Sequence, residues 1–132
     1  RDLHTAYRRQ RQMCIRDRLW SDPQSAPGRG PSKRGVGLGF GPDITRAWCS
    51  LNGITSVFRS HEVRQRGYAE EHEGLCCTVF SAPNYCDSAG NLGAFARIDE
   101  RGTITWTTFE AQPHPDIKPM AYAGNIMGGL LA

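Results

Sequence analysis

Three features of the 132-residue sequence predict a fold of the α/β (α+β) class. They are one amphipathic helix in "GFGPDITRAWCSLNG", a helix–turn–strand step directly after it, and a β-hairpin toward the carboxyl end. Helices and short strands in this alternation pack as layers around a core, and the length suits one domain.

Taken in order, residues 1–18, "RDLHTAYRRQRQMCIRDR", show neither helical nor strand periodicity. They are expected to be an unstructured basic segment, distinct from residues 19–132. "LWSDPQSAPGRGPSKRG" (19–35) reads as loop, with three prolines, three glycines and no apolar alternation. In the helix, Pro42 suits the first position and Asp43 the positive end of the dipole. Ile44, Ala47, Trp48 and Leu51 form an apolar stripe, and Gly53 supplies the stop. "ITSVF" (54–58) and "LCCTVF" (75–80) read as strands. "SAPNYCDSAGN" (81–91) is a turn-rich loop, and "LGAFARI" and "TITWTTF" flank "DERG" as a hairpin. The tail from Pro113 starts extended and is expected to end in a helix weakened by Gly124, Gly128 and Gly129.

Composition narrows the function classes. Residues 1–34 carry nine Lys/Arg against three Asp/Glu, or +6; residues 35–132 carry seven against ten, or −3. The basic character belongs to the leading segment. Arg8, Arg9 and Arg11 are the only footing for nucleic-acid binding, and a solvated arm is the expected reading. No apolar run is long enough to span a membrane. Five cysteines without a C-x-x-C pair argue against a disulfide framework and fit a reducing compartment, cytoplasmic and nuclear.

Several motifs fail on register. In "GVGLGFG" the third glycine of a G-x-G-x-x-G turn is Phe40 or Pro42. "HEVRQ" places Gln65 where a zincin helix needs its second histidine, and His72 with Cys76 completes no zinc site. What remains is Arg34, Arg59, His61 and Tyr85 at strand and loop ends, a set suited to an oxyanion such as phosphate. Taken singly, each reads first as an ordinary surface or hydrogen-bonding residue.

"LWSDP", "SKRGV", "FGPD", "RSHEV…GY" and "TVFSAPNYCD…GN" resemble, in order and spacing, the carboxy-terminal part of the metal-dependent serine/threonine phosphoprotein phosphatases, from Leu19 to about Ala123. The resemblance implies an αββα metallophosphoesterase sandwich, of which this chain is roughly the last third. It implies hydrolysis of phosphoserine and phosphothreonine in phosphoprotein substrates by water activated on two divalent metal ions, manganese, iron or zinc. It makes His61 a metal ligand, Arg34 the arginine that grips phosphate, and Tyr85 the tyrosine overhanging the site beside the alkylatable Cys86. Asp22 lies next to the site as a further catalytic candidate. One branch of the family recruits a chaperone partner through a helical-repeat domain, of which nothing is found here.

Departures limit the expectation. The signatures "GDxHG", "GDxVDRG", "GNHE" and the "HGG" histidine are absent from the sequence. One metal ligand out of roughly six is present, too few for catalytic geometry. "RRQRQMCIRDR" resembles translated adapter sequence. The chain is therefore expected to be inactive and marginally stable alone, with a non-catalytic binding or decoy role as the alternative.

Overall fold

The computed structural model describes residues 11–117 apart from Met13. The expectations for residues 1–10 and for a helix in the tail lie outside the described residues. Within them, two helices, one 3₁₀ turn and three small sheets make a mixed α/β fold, as expected. No helix among the described residues is long and apolar enough to cross a membrane.

The leading segment departs from expectation. Residues 14–20 are helical (α1) and exposed throughout. The sequence there has no Gly or Pro until Pro23, so local propensity forms a helix without an apolar stripe to announce it.

The stretch read as loop contains strands. β1 (Asp22–Pro23) pairs parallel with β3 (Leu38–Phe40), and β2 (Arg29–Pro31) pairs antiparallel with β3. Strands of two and three residues are too short to show a period of two. Their glycines have a packing reason: Gly30 lies opposite Gly39, and a Cβ on Gly30 would meet the Gln24 Oε1 at 2.6 Å.

α2 (Pro42–Asn52) forms as the sequence predicts, with Pro42 opening it and Gly53 closing it in the left-handed conformation at φ 64°. Asp43 ties its start to the preceding turn by accepting a 2.7 Å hydrogen bond from the Gly28 N–H. Its buried face is not the expected one. Thr45 and Cys49 are buried, whereas Trp48 is 49% and Leu51 85% exposed. Thr45 is drawn inward by His72. The Thr45 hydroxyl and His72 Nδ1 are 2.8 Å apart, and His72 Nε2 donates to the Gln24 carbonyl at 2.9 Å. A carbonyl only accepts, so neutral His72 carries its proton on Nε2 and Nδ1 accepts from Thr45.

In the second sheet β6 (Cys76–Val79) is central, parallel to β4 (Val57–Arg59) and antiparallel to β5 (Tyr68–Glu71). Cys76, Cys77 and Thr78 have no exposed surface, so β6 is covered on both faces. Burial pushes the Cys76 thiol up to about 11 and raises Cys77 also, which leaves both unreactive near neutrality. β5, "YAEE", was not foreseen, because glutamates are poor strand formers in isolation.

β7 (Gly93–Ile98) and β8 (Ile104–Phe109) form the expected hairpin. Asp99 fastens its turn, with Oδ1 accepting from the Arg101 N–H at 2.9 Å and the Thr103 N–H at 2.7 Å. Trp106 anchors it to the second sheet, stacking on Tyr68 at 4.4 Å and donating to Glu70 at 2.8 Å.

Candidate functional site

Local backbone geometry brings Arg34 to Asp22. Gly37 has φ 73°, and a Cβ there would lie 2.7 Å from the Trp20 carbonyl, so only glycine lets these segments approach. The neighbouring Leu38 N–H donates to the Ser21 hydroxyl at 3.1 Å. Asp22 in β1 then receives two guanidinium groups. Arg34 Nε donates to Oδ2 at 2.6 Å, and Arg59 Nη2 donates to Oδ1 at 2.6 Å. Arg59 ends β4 opposite Thr78, with its side chain only 13% exposed.

His61 follows β4 by two residues, with φ 88°. A non-glycine residue in that region carries strain on the order of 1–2 kcal/mol and is a pointer to function. The turn directs the His61 carbonyl to Arg34 Nη2, which donates to it at 3.1 Å. The imidazole meets the Trp20 ring edge-on at 5.0 Å, and among the described residues its nitrogens have no hydrogen-bond partner.

Asp22, Arg34, Arg59 and His61 are thus gathered at one place. Burial works against the Asp22 charge, but the Arg34 hydrogen bond and the Arg59 and Arg34 charges outweigh it. Its carboxyl is held below 3.8. Asp22 is therefore an anion at neutral pH, able to orient arginines but not to donate a proton. The Asp22 hydrogen bond raises Arg34 further still, and Arg34 Nη1 has no partner among the described residues. Nη1 is thus free to donate to an oxyanion.

Tyr85 is placed apart. It begins the 3₁₀ turn Tyr85–Asp87, 47% exposed, with its ring edge-on to Phe80 at 5.2 Å. No hydrogen bond or ring contact joins it to Asp22, Arg34 or His61 among the described residues. Asn84, Cys86 and Asp87 all have positive φ, of 46°, 55° and 57°. Buried Asn91 fastens the loop: its Oδ1 accepts from the Tyr85 N–H at 2.9 Å and its Nδ2 donates to the Ala82 carbonyl at 2.8 Å. Cys86 is exposed and unpaired. An open cavity of about 460 Å³ lies between this loop and residues 111–114, and none of the residues gathered at Asp22 lines it.

The sequence reading missed Glu62, Arg64, Glu71 and Thr78, which extend the ion pairs behind Arg59. The alternating signs of Glu62, Arg64 and Glu71 were the available signal. Among the described residues no three His, Cys, Asp or Glu side chains form a metal-holding group. His61 offers one nitrogen donor, so these residues do not fit a metal by themselves.

No protein-family model matches the chain. Serine/threonine-protein phosphatase T of Schizosaccharomyces pombe is 61% identical over 112 residues, 85% of this chain and 24% of that protein. Serine/threonine-protein phosphatase 5 of Homo sapiens is 48% identical over 116 residues, 87% of this chain and 23% of that protein. A solved structure of a protein serine/threonine phosphatase from Saccharomyces cerevisiae, described as similar to human phosphatase PP5, superposes with a TM-score of 0.68. It is 50% identical and covers 79% of this chain and 36% of its own. The chain spans about a quarter of the length of the curated relatives it matches.

Proposed function

The chain belongs to the serine/threonine protein phosphatase family, and from that premise we propose that it is the carboxy-terminal part of a catalytic domain hydrolysing phosphoserine and phosphothreonine in proteins. The observation that carries the proposal is the Arg34 guanidinium, bound at 2.6 Å to Asp22 and at 3.1 Å to the His61 carbonyl, with Nη1 left without a partner among the described residues. A guanidinium fixed in this way presents its unpartnered Nη1 donors to an oxygen of a phosphoryl group.

In this reading Arg34 binds and orients the phosphoryl group. Asp22 sets the angle of Arg34, and Tyr85 is proposed to approach a bound substrate from its loop, which has no contact with Arg34 or His61 among the described residues. His61 would give its free imidazole to one of two divalent ions, manganese, iron or zinc, whose other ligands lie outside this chain. Such an ion, when bound, lowers the pKa of a water from about 15.7 toward about 7 and steadies phosphoryl oxygens. Substrates are proposed to be phosphoproteins of the cytoplasm and nucleus. A chaperone partner is proposed only if the whole protein carries a helical-repeat domain. No role for nucleic acid or membrane is proposed.

A second reading follows from the single metal donor and the exposed stripe at Trp48 and Leu51. By itself the 132-residue chain is proposed to be inactive, a binding or decoy piece. One assay separates the two: the chain alone, with manganese and a phosphopeptide, is expected to give no turnover, and clear turnover contradicts the ligand count. In a complete phosphatase containing the chain, His61→Ala is expected to lower kcat/KM by at least about 10²-fold. Near-normal turnover of that variant ends the proposal.

A further inference from the structure

The ion pairs do not stop at Arg34 and Asp22. Arg59 Nη1 donates to Glu62 Oε2 at 2.5 Å and to the Thr78 hydroxyl at 3.3 Å. The same Glu62 oxygen accepts from Arg64 Nη2 at 3.0 Å, and Arg64 Nη2 reaches Glu71 Oε2 at 2.9 Å. Three guanidinium groups and three carboxylates therefore alternate, from half-open Arg34 to β5.

The members of this row are unequal. β1, which carries Asp22, is two residues long and pairs only with β3. Arg34 by itself holds the carboxylate unevenly, at 2.6 Å on Oδ2 but only 3.4 Å on Oδ1. Arg59 is anchored far better: it ends β4, faces fully buried Thr78 on the central strand, and is clamped by Glu62. Arg59 adds the short 2.6 Å bond to Oδ1, where Arg34 Nη2 makes only a long one, and so fixes the carboxylate plane with Oδ2 on Arg34 Nε. Arg64 is less firmly held, since its buried Nε has no partner.

We infer that Arg59 is a positioning residue, which sets the direction of the phosphate-gripping Arg34 through the shared Asp22 carboxylate. The inference rests on the role proposed above for Arg34 only in calling it phosphate-gripping; the geometric claim stands without it. Arg59 itself touches no substrate.

The test uses the full 132-residue chain, labelled with ¹⁵N in its arginine side chains, and reads water exchange of the Arg34 Nε–H. Arg59→Gln is expected to speed that exchange by about tenfold, the factor belonging to one lost hydrogen bond to a charged group. In an Asp22→Asn background the same change is expected to add nothing. A merely structural role would act equally in both backgrounds, so additive effects overturn the inference. Unchanged exchange in Arg59→Gln overturns it too, as does the lack of a slowly exchanging Arg34 Nε–H in the unsubstituted chain. Glu62→Gln loosens Arg59 without removing it and is expected to speed exchange by about threefold. It decides the matter if Arg59→Gln fails to fold, with β7–β8 amide signals as the control for folding; no change in Glu62→Gln is then contradictory. Adding inorganic phosphate tests the other reading separately. If phosphate leaves the Arg34 signal unmoved while the exchange pattern holds, the phosphate role fails and the positioning role survives.

Discussion

Asp22 joins Arg34 and Arg59 across 12 and 37 residues of sequence, whereas Asn91 and Asn84 hold the Tyr85 loop across only six. The first region consists of charged side chains brought in from β1, β4 and the turn before β3. It exists only while those elements are packed together. The second is a mainly local turn, fastened by two asparagine amides, with longer ties from Asp87 to His114 at 2.7 Å and from Gln65 to the Ala89 carbonyl at 3.4 Å. Arg34 and His61 are accordingly held mainly by long-range bonds and Tyr85 mainly by short-range ones.

The largest effect expected from this contrast is at Asp22. Asp22→Ala leaves two guanidinium groups facing each other without their carboxylate, and is expected to cost about 2–3 kcal/mol of unfolding free energy. Urea denaturation measures it, and a cost under about 0.5 kcal/mol would mean the long-range region is no tighter than an ordinary surface. Asn91→Ala comes next, at about 1–2 kcal/mol, because the Ala82 carbonyl and the Tyr85 N–H lose their partner. Hydrogen exchange should quicken within residues 82–92 only; spread into β6 would break the contrast.

A smaller effect is expected from pH. The Asp22 carboxyl titrates below 3.8 in the folded chain, so the unfolded chain takes up the proton first as pH falls. Asp22 therefore contributes its stability above 3.8 and loses it as pH drops through the folded value. Denaturation midpoints measured down this range should fall more steeply for the unsubstituted chain than for Asp22→Ala. Least affected is Tyr85→Phe. The phenol hydroxyl is without a hydrogen bond to the loop that carries it, and stability should change by less than about 0.5 kcal/mol.

The same division decides what could be read from the sequence. α2 and the β7–β8 hairpin were legible because proline, glycine and a period of residues act locally. β1 and β2 were not, since two or three residues of mixed charge, Gly and Pro become strands only when β3 lies between them. The apolar stripe of α2 was misread for a related reason. Burial of Thr45 and Cys49 depends on His72, 27 residues away from Thr45, and no periodicity in the helix reports it. At the site, Arg34, Arg59 and His61 stood out as polar residues at element ends. Their meeting at Asp22, and the Glu62–Arg64–Glu71 pairs behind them, required the tertiary structure.

One measurement bears most directly on the claim that this chain carries the phosphate-holding part of a phosphatase site. Residues 19–117 would replace the matching segment of the Schizosaccharomyces pombe phosphatase T, and turnover of a phosphopeptide with manganese would be followed. The chimera is expected to be active and to lose about 10²–10³-fold in kcat/KM on Arg34→Ala. A folded chimera whose turnover is indifferent to Arg34→Ala contradicts the claim.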